Sequence, residues 1–138
     1  ADAVFVRARA RQLMRDLDSY QPRLVGDVLS GNVTVHTSVD LHLFSDTTEA
    51  VSTSLESLGV SHRSLDRPHR LRHDEVEQFP GYRFSVHGCD FASTVFPVRL
   101  RGHAPMSPVD GKPMRRAGLR ELAALLDLAP VIRSPTPG

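Results

Sequence analysis

The chain has 138 residues, 40% of them hydrophobic and 24% charged, and this composition excludes wholesale disorder and a collagen-like or disulfide-built protein. Seventeen Lys and Arg residues against sixteen Asp and Glu residues give a formal net charge of +1, which excludes a strongly basic protein that coats nucleic acid. The length fits one domain over residues 1–138. The one cysteine, Cys89, cannot form an internal disulfide, and no stretch approaches the roughly 20 apolar residues of a membrane span. We therefore expect a cytoplasmic protein with no membrane contact and no nucleic acid among its main partners.

The N-terminal segment has the pattern of a helix followed by a short strand. Apolar residues at steps of three and four predict a helix over residues 3–20, which Pro22 ends because proline disfavours helical geometry in the residue before it. Residues 23–25 are a short strand candidate. Residues 26–37 mix Gly, Ser, Asn and Thr with valines, and this pattern indicates a turn followed by either a short helix or a short strand.

The clearest strand signal lies at residues 38–44. Three aliphatic residues alternate with Ser38, Asp40 and His42, which is the period of a half-buried strand. The pattern places the three polar side chains on one face of the strand and the aliphatic side chains on the other.

A second helix is predicted directly after this strand. Asp46 and Glu49 have the spacing of a helix cap and its partner acid, and Gly59 stands where a C-terminal glycine belongs. Residues 60–65 are the next strand candidate. Residues 63–74 are polar, rich in Arg and His and interrupted by a proline, so we predict a loop over most of this segment.

The C-terminal half of the chain has the pattern of a hairpin, a long loop and a last helix. Alternation predicts strands at residues 82–86 and 91–98, joined as a hairpin. Prolines and glycines indicate a loop over residues 97–113, apolar spacing predicts a helix over residues 119–126, and residues 130–138 are expected to form a frayed tail. Helices interleaved with strands predict an α/β (α+β) fold in which helices flank a small mixed sheet.

Two glycines at a fixed distance from an acidic strand are the most informative motif. Gly26 and Gly31 are five residues apart, and Thr37 precedes the strand that contains Asp40. This order resembles the signature of the nucleotidyltransferase superfamily with the DNA polymerase beta-like fold. That signature has a Gly-Ser pair, a second glycine, and then Ser-Asp-hydrophobic-Asp opening a strand. The spacing matches without a gap, and the resemblance covers roughly residues 24–98.

The resemblance implies a Mg²⁺-dependent transfer of a nucleotide. In the family, carboxylates two residues apart on a strand point to one face and share Mg²⁺, which prefers oxygen ligands. The residue implied as catalytic and metal-binding is Asp40, with Asp90 as a second candidate for both roles. The implied nucleotide-binding residues are Gly26, Asp27, Gly31, Thr37 and Ser38.

The sequence departs from this pattern at the residues that hold the metal. Ser38 replaces the first acid of the strand, and Asp27 replaces the serine of the Gly-Ser pair, which puts a negative charge where a phosphate would lie. The third carboxylate of the family falls either at Asp90 or at Ala92, and the sequence leaves that register open. We therefore expect Mg²⁺ to bind weakly or not at all.

Three hypotheses about function follow. The first is a nucleotidyltransferase-like domain that has lost catalysis and keeps a nucleotide-binding or regulatory role. The second is an active metal-dependent nucleotidyltransferase with a relocated carboxylate set, formed by Asp27, Asp40 and Asp90. The third is an interaction module without a ligand, which binds a protein partner or a second copy of the chain. Whether the chain is an enzyme stays open at this point.

A pair of arginines lies just before the last predicted helix. Arg115 and Arg116 place positive charge near a helix start, where it opposes the helix dipole. The pair is interpreted either as solvated surface or as an anchor for an anion or an acidic partner.

Overall fold

The computed structural model describes residues 3–72 and 75–133. Its helices are α1 (Ala3–Asp16), α2 (Gly26–Ser30), α3 (Thr48–Ser57) and α4 (Leu119–Arg133), with 3-10 turns at Asp18–Tyr20 and Val98–Leu100. Its strands are β1 (Arg23–Val25), β2 (Val39–Phe44), β3 (His62–Arg72), β4 (Glu75–Val86) and β5 (Cys89–Phe96). Within these described ranges, no helix is both long enough and apolar enough to cross a membrane.

The five strands form one mixed sheet in the order β1-β2-β5-β4-β3. Only β2 and β5 run parallel among the described pairs, because the chain returns from β2 through α3 and the β3–β4 hairpin before it enters β5. The predicted α+β fold with a small mixed sheet and flanking helices is confirmed.

The main core lies on the face of the sheet that carries the aliphatic residues of β2. Leu41 and Leu43 on this face are fully buried and belong to the same cluster as Leu13 of α1 and Leu55 of α3. Burying a leucine side chain contributes about 1.5–3 kcal/mol, so this packing fixes the helices on one side of the sheet.

The opposite face carries a second, smaller cluster of Phe44, Phe79, Phe96 and Leu100. It is covered by residues 101–118, which we call the crossing segment. The amide of Met106 donates to the carbonyl of Arg70 on edge strand β3 at 2.7 Å. At its other end, Ala117 exchanges two backbone hydrogen bonds with Leu24 on edge strand β1, at 2.8 and 2.9 Å. The segment therefore passes over the polar face from one edge of the sheet to the other.

The predicted loop over residues 63–74 is wrong, because residues 62–72 form strand β3. This strand pairs with β4 from His62, opposite Phe84, to Arg72, opposite Glu75. Pro68 is compatible with β3 because an edge strand does not need every N–H for pairing. Residues 73 and 74 lie outside the described part of the chain.

The hairpin between β4 and β5 is confirmed. Val86 pairs with Cys89, and the two residues between them, His87 and Gly88, both have positive φ, at 55° and 76°. Positive φ at both positions is the geometry of the type I′ turn, whose twist matches that of the flanking strands.

Several helix ends differ from the sequence patterns. Helix α1 ends at Asp16 and a 3-10 turn follows, whereas one helix is predicted to residue 20. Asp46 does not cap α3: Thr47 is at the N-cap without a side-chain bond, and the Asp46 carboxylate accepts a hydrogen bond from Val98 N at 3.0 Å. The predicted glycine at the C-terminus of α3 is confirmed, since Gly59 has φ of 74°.

The structure also defines the secondary structure of two further segments, one after β1 and one at the end of α4. The ambiguous stretch after β1 begins with helix α2, which runs from Gly26 to Ser30 and is capped by Gly31. Helix α4 continues to Arg133, past the start of the predicted tail at residue 130, and residues 134–138 lie outside the described chain.

Candidate functional site

Asp40 on the polar face of β2 forms an ion pair with an arginine from the far edge of the sheet. Arg67 of β3 donates from Nη2 to Asp40 Oδ1 at 3.0 Å, and the two side chains retain 17% and 28% of their exposure. Strands β5 and β4 lie between them, so the arginine side chain passes over the sheet.

Gly81 of β4 makes this crossing possible. A Cβ at this position would lie 2.7 Å from Cγ of Arg67 and 2.1 Å from the carbonyl oxygen of Ser93. Both distances are shorter than real Cβ contacts allow, so no other residue fits without displacing the backbone. Glycine in a strand interior typically marks such a close approach.

Burial and charge act in opposite directions on the Asp40 carboxyl. Burial raises its pKa above the ordinary value, the Arg67 guanidinium lowers it, and Asp27 raises it again. The carboxylate therefore depends on Arg67 for compensation of its lost hydration.

Two histidines lie beside this ion pair. His42 of β2 is fully buried, and its ring lies edge-on to His69 of β3 with centroids 5.2 Å apart. His69 shares a hydrogen bond of 3.0 Å with the hydroxyl of Thr94. Burial and the nearby arginines lower the pKa of His42 well below its ordinary value and that of His69 to about 4, so both rings are neutral near pH 7.

Arg116 from the crossing segment also contacts this group of side chains, through His42. Its Nε donates to Nδ1 of His42 at 3.0 Å, and Nη1 donates to the carbonyls of Leu100 and Arg101 at 3.2 and 3.3 Å. Its guanidinium lies 5.0 and 5.2 Å from the ring centroids of two phenylalanines, Phe44 and Phe96. Burial lowers its pKa to about 10, with a further contribution from Arg23, so it stays charged at neutral pH.

A cavity of about 540 Å³ lies between this face and the crossing segment. This volume falls in the range of small-molecule sites, about 300–1,000 Å³. Its polar wall includes Asp40, Arg67, His69 and Arg70, and its apolar wall includes Pro68, Val76, Met106 and Met114. The cavity therefore combines positively charged groups with an apolar surface. The one carboxylate among its described lining residues, Asp40, is ion-paired with Arg67.

The register of the sheet places Ala92 next to Asp40. Asp40 of β2 pairs with Ala92 of β5, so the position level with Asp40 has no carboxylate. Asp90 lies two residues earlier on β5, about 7 Å along the strand. There it pairs with Ser85 of β4, and its carboxylate accepts a hydrogen bond from the Ser85 hydroxyl.

The side chains around Asp40 do not match the ligands that Mg²⁺ prefers. Asp40 is the one carboxylate among the described residues that line this cavity, one of its oxygens already accepts a hydrogen bond from Arg67, and the neighbouring position is Ala92. Within residues 3–72 and 75–127, no group of three or more His, Cys, Asp or Glu side chains is arranged to hold a metal ion. Mg²⁺ bound by proteins needs oxygen ligands in near-octahedral geometry, and a cationic guanidinium in this position opposes it.

The residues implied to bind a nucleotide are only partly brought together. Gly26 has φ of 76° and lies against Asp40, since a Cβ there would be 3.7 Å from the Asp40 Cβ. Gly26 and Asp27 line a separate cavity of about 390 Å³ between α2 and the crossing segment. Gly31 ends α2 with φ of 90°.

The other two residues of that set lie in the loop that precedes β2. The hydroxyl of Thr37 accepts a hydrogen bond from Thr34 N at 2.8 Å and contacts the Thr34 hydroxyl at 3.1 Å. Ser38 is half-buried at the entrance of the strand. Thr37 therefore stabilises the turn that leads into β2.

Sequence analysis missed most of the residues that surround Asp40. Arg67 and His69 fall in the segment predicted as loop, where their alternation along β3 was hidden by Pro68. Gly81 is the one residue of this group with a signal in the sequence. It lies between Pro80 and Tyr82, just before the alternating residues 82–86, and an isolated glycine next to a strand pattern indicates a close approach of another part of the chain.

Comparison with known proteins does not extend this description: no protein-family model matches the chain, and no curated protein is similar to it. The resemblance to nucleotidyltransferases therefore rests on the sequence pattern of residues 26–41.

Proposed function

We propose that this chain is a nucleotidyltransferase-like domain that binds the phosphate groups of a nucleotide without metal-dependent transfer. The observation that carries the proposal is the ion pair between Asp40 and Arg67. A guanidinium occupies the side of the carboxylate where the resemblance leads one to expect Mg²⁺. The domain then acts by binding, with a regulatory effect on a partner as its output.

The cavity beside Asp40 supports binding of an anionic ligand with an apolar part. Arg67 and Arg70 provide guanidinium groups on one wall, and Met106 and Met114 provide an apolar surface on the crossing segment. Arginine is suited to phosphate because its planar fork donates two parallel hydrogen bonds. A nucleotide has both parts, a phosphate chain and a base with apolar faces.

A cytoplasmic location belongs to the same proposal. Cys89 is the one cysteine of this chain, so no internal disulfide stabilises the domain, which suits a reducing compartment.

The absence of transfer is tested with α-labelled ATP, CTP and GTP in the presence of Mg²⁺ or Mn²⁺. We expect no labelled product above the level seen with boiled protein, because Ala92 stands level with Asp40 where a second carboxylate could share a metal ion. Robust labelling that Asp40→Ala abolishes would contradict the proposal and favour the active transferase.

The binding itself is tested with Arg67→Gln. We expect this variant to weaken nucleotide binding by about 10–100-fold, the usual loss for a hydrogen bond to a charged group. Arg72→Gln is the matched control, since Arg72 lies exposed on the same strand and outside the cavity wall described above. Equal affinities of the two variants for ATP would show that Arg67 does not bind the ligand.

A second variant separates binding from folding. Asp40→Asn combined with Arg67→Gln removes both charges, so no unpaired buried charge remains. If Arg67→Gln alone melts early, the double variant provides the folded protein for the same titration, with the same expected loss.

A further inference from the structure

Two arginines that take no part in the Asp40–Arg67 ion pair lie directly opposite each other on the polar face of the sheet. Arg83 of β4 pairs with Arg63 of β3 on one side and with Ala92 of β5 on the other. Because Ala92 in turn pairs with Asp40, the four residues form one row across four strands on one face.

This arginine pair is uncompensated within the described residues. Neither Arg63 nor Arg83 makes a hydrogen bond or an ion pair with another described side chain, and both are exposed. Like charges directly opposite each other on neighbouring strands are destabilising. Such a pair is stabilised when one anion accepts from both.

The two arginines line an open groove of about 420 Å³. Ser61, which precedes β3, and Ser85 of β4 also line it, together with Asp90 of β5. The carboxylate of Asp90 accepts the hydrogen bond of the Ser85 hydroxyl, and no ion pair joins it to either arginine. The groove is therefore lined by two guanidinium groups, two hydroxyls, one carboxylate and the imidazole of His62, whose ring nitrogens are already hydrogen-bonded to the Ser52 hydroxyl and the Val60 carbonyl.

We propose that this groove binds the phosphate dianion of a small phosphorylated molecule, with Arg63 and Arg83 donating to its oxygens from two neighbouring strands. Each arginine provides a charge-assisted, fork-shaped set of donors, and two such sets match a dianion that has three acceptor oxygens. This inference does not rest on the proposed function, because it uses other residues and another cavity.

The composition of the groove favours a small phosphate over the alternatives. A carboxylate or a sulfate monoester carries a single negative charge and compensates only one arginine. Single-stranded nucleic acid is bound by stacking its bases on aromatic side chains. Of the two rings that line this groove, Phe84 is buried with 4% of its surface exposed, and His62 is half-buried and packs edge-on against Tyr82.

The test uses methyl phosphate at about pH 8, where a phosphate monoester with a second pKa near 6 is a dianion. Methyl sulfate, which has the same shape and one charge, is titrated in parallel at constant ionic strength. The readout is the side-chain Nε–Hε signals of Arg63 and Arg83 in ¹H–¹⁵N spectra, which report on the groove and not on the cavity beside Arg67. We expect saturable shifts with methyl phosphate and at least ten-fold weaker binding of methyl sulfate.

Four variants sharpen the result. Arg83→Gln should weaken methyl phosphate binding at least ten-fold as read at Arg63, and Arg63→Gln should do the same as read at Arg83, so the test survives if one variant fails to fold. Asp90→Asn should strengthen binding several-fold, because it removes the carboxylate that repels the anion. Arg99→Gln, which removes an exposed charge outside the groove, should leave the affinity unchanged.

Several outcomes would overturn the inference. Equal binding of methyl sulfate would show that the dianion is not recognised, and an equal loss in Arg99→Gln would show general charge screening. Shifts that do not saturate would show an absence of a site. Tight binding of a single-stranded oligonucleotide through the same two arginines, with a steep dependence on salt, would replace the small phosphate by a nucleic-acid partner.

Discussion

Gly81 is the residue through which the sequence of β4 determines the surroundings of Asp40. Any side chain at this position would collide with Arg67 and with the backbone of Ser93. We expect Gly81→Ala to lower the free energy of unfolding by about 3 kcal/mol or more, at the upper end of what overpacking costs. Chemical denaturation measures the difference.

The control for this substitution is Gly102→Ala. Nothing lies within 4 Å of a Cβ at Gly102 and its φ is not positive, so we expect a change of less than about 0.5 kcal/mol. Similar stabilities of the Gly81 and Gly102 variants would show that the β4 strand tolerates a side chain at Gly81.

His69 predicts a pH dependence of stability. Burial lowers its pKa in the folded protein from 6.5 to about 4, so between these values the unfolded chain binds a proton that the folded chain does not. The free energy of unfolding should therefore fall as pH decreases from 6.5 to 4. His42, whose pKa is lowered in the same direction, adds to this slope.

The variant His69→Gln isolates this contribution. We expect it to reduce the pH dependence of the unfolding free energy between pH 6.5 and 4 by up to about one bound proton. His36→Gln, in the exposed loop before β2, is the control. An unchanged slope in His69→Gln would contradict the assignment of His69 as a buried neutral base.

At the scale of elements, the crossing segment turns the polar face of the sheet into a cavity wall. Arg116 holds it in place by contacting His42, two backbone carbonyls and two phenylalanine rings. We expect Arg116→Gln to cost about 2 kcal/mol or more, because hydrogen bonds to a charged group and cation–π contacts are lost together. Amide exchange at Met106 and Ala117 should accelerate at the same time.

Arg115→Gln is the matched control for this prediction. Arg115 is exposed and pairs with Glu121 at the surface, so we expect its loss to cost at most about 1 kcal/mol. If both variants had the same stability and the same exchange rates, Arg116 would be a surface residue in solution. The surface interpretation holds for Arg115, whereas Arg116 is neither solvated surface nor bound to an anion: it donates to His42 and to two backbone carbonyls of this chain.

An element is predictable from the sequence when the residues that stabilise it lie close together in the chain. Strand β2 and the β4–β5 hairpin were predicted because alternation and turn residues lie within a few positions of each other. Strand β3 was not, because its stability comes from pairing with β4 and its proline and charges dominate the local pattern. The cap of α3 failed for a similar reason, since Asp46 bonds to Val98, which is 52 residues away in the chain.

The candidate site also combines a residue with a local sequence signal and residues that only long-range contacts bring together. The glycine and strand pattern singles out Asp40, and the structure places Gly26 against it, while the catalytic and metal-binding role of Asp40 stays a prediction. Arg67, His69 and Arg116 come from distant segments, and only the sheet order and the crossing segment bring them to Asp40. The question of Asp90 or Ala92 depended on strand register, which one sequence does not determine.

For the whole molecule, we propose that the guanidinium of Arg67 takes the place of a metal ion beside Asp40. A mixed sheet with helices on one face is a framework that many functions share, so function depends on the side chains around the site. There, one carboxylate is paired with Arg67, and the cavity that they share lies under the crossing segment.

The most direct measurement is an isothermal titration of the wild-type protein with ATP, carried out once in EDTA and once in excess Mg²⁺. If Arg67 supplies the positive charge, ATP should bind in EDTA with an affinity equal to or higher than that in Mg²⁺, because Mg²⁺ then only competes for the phosphates. Binding that requires Mg²⁺ and is lost in Asp40→Asn would contradict the claim, since it would identify Asp40 as a metal ligand.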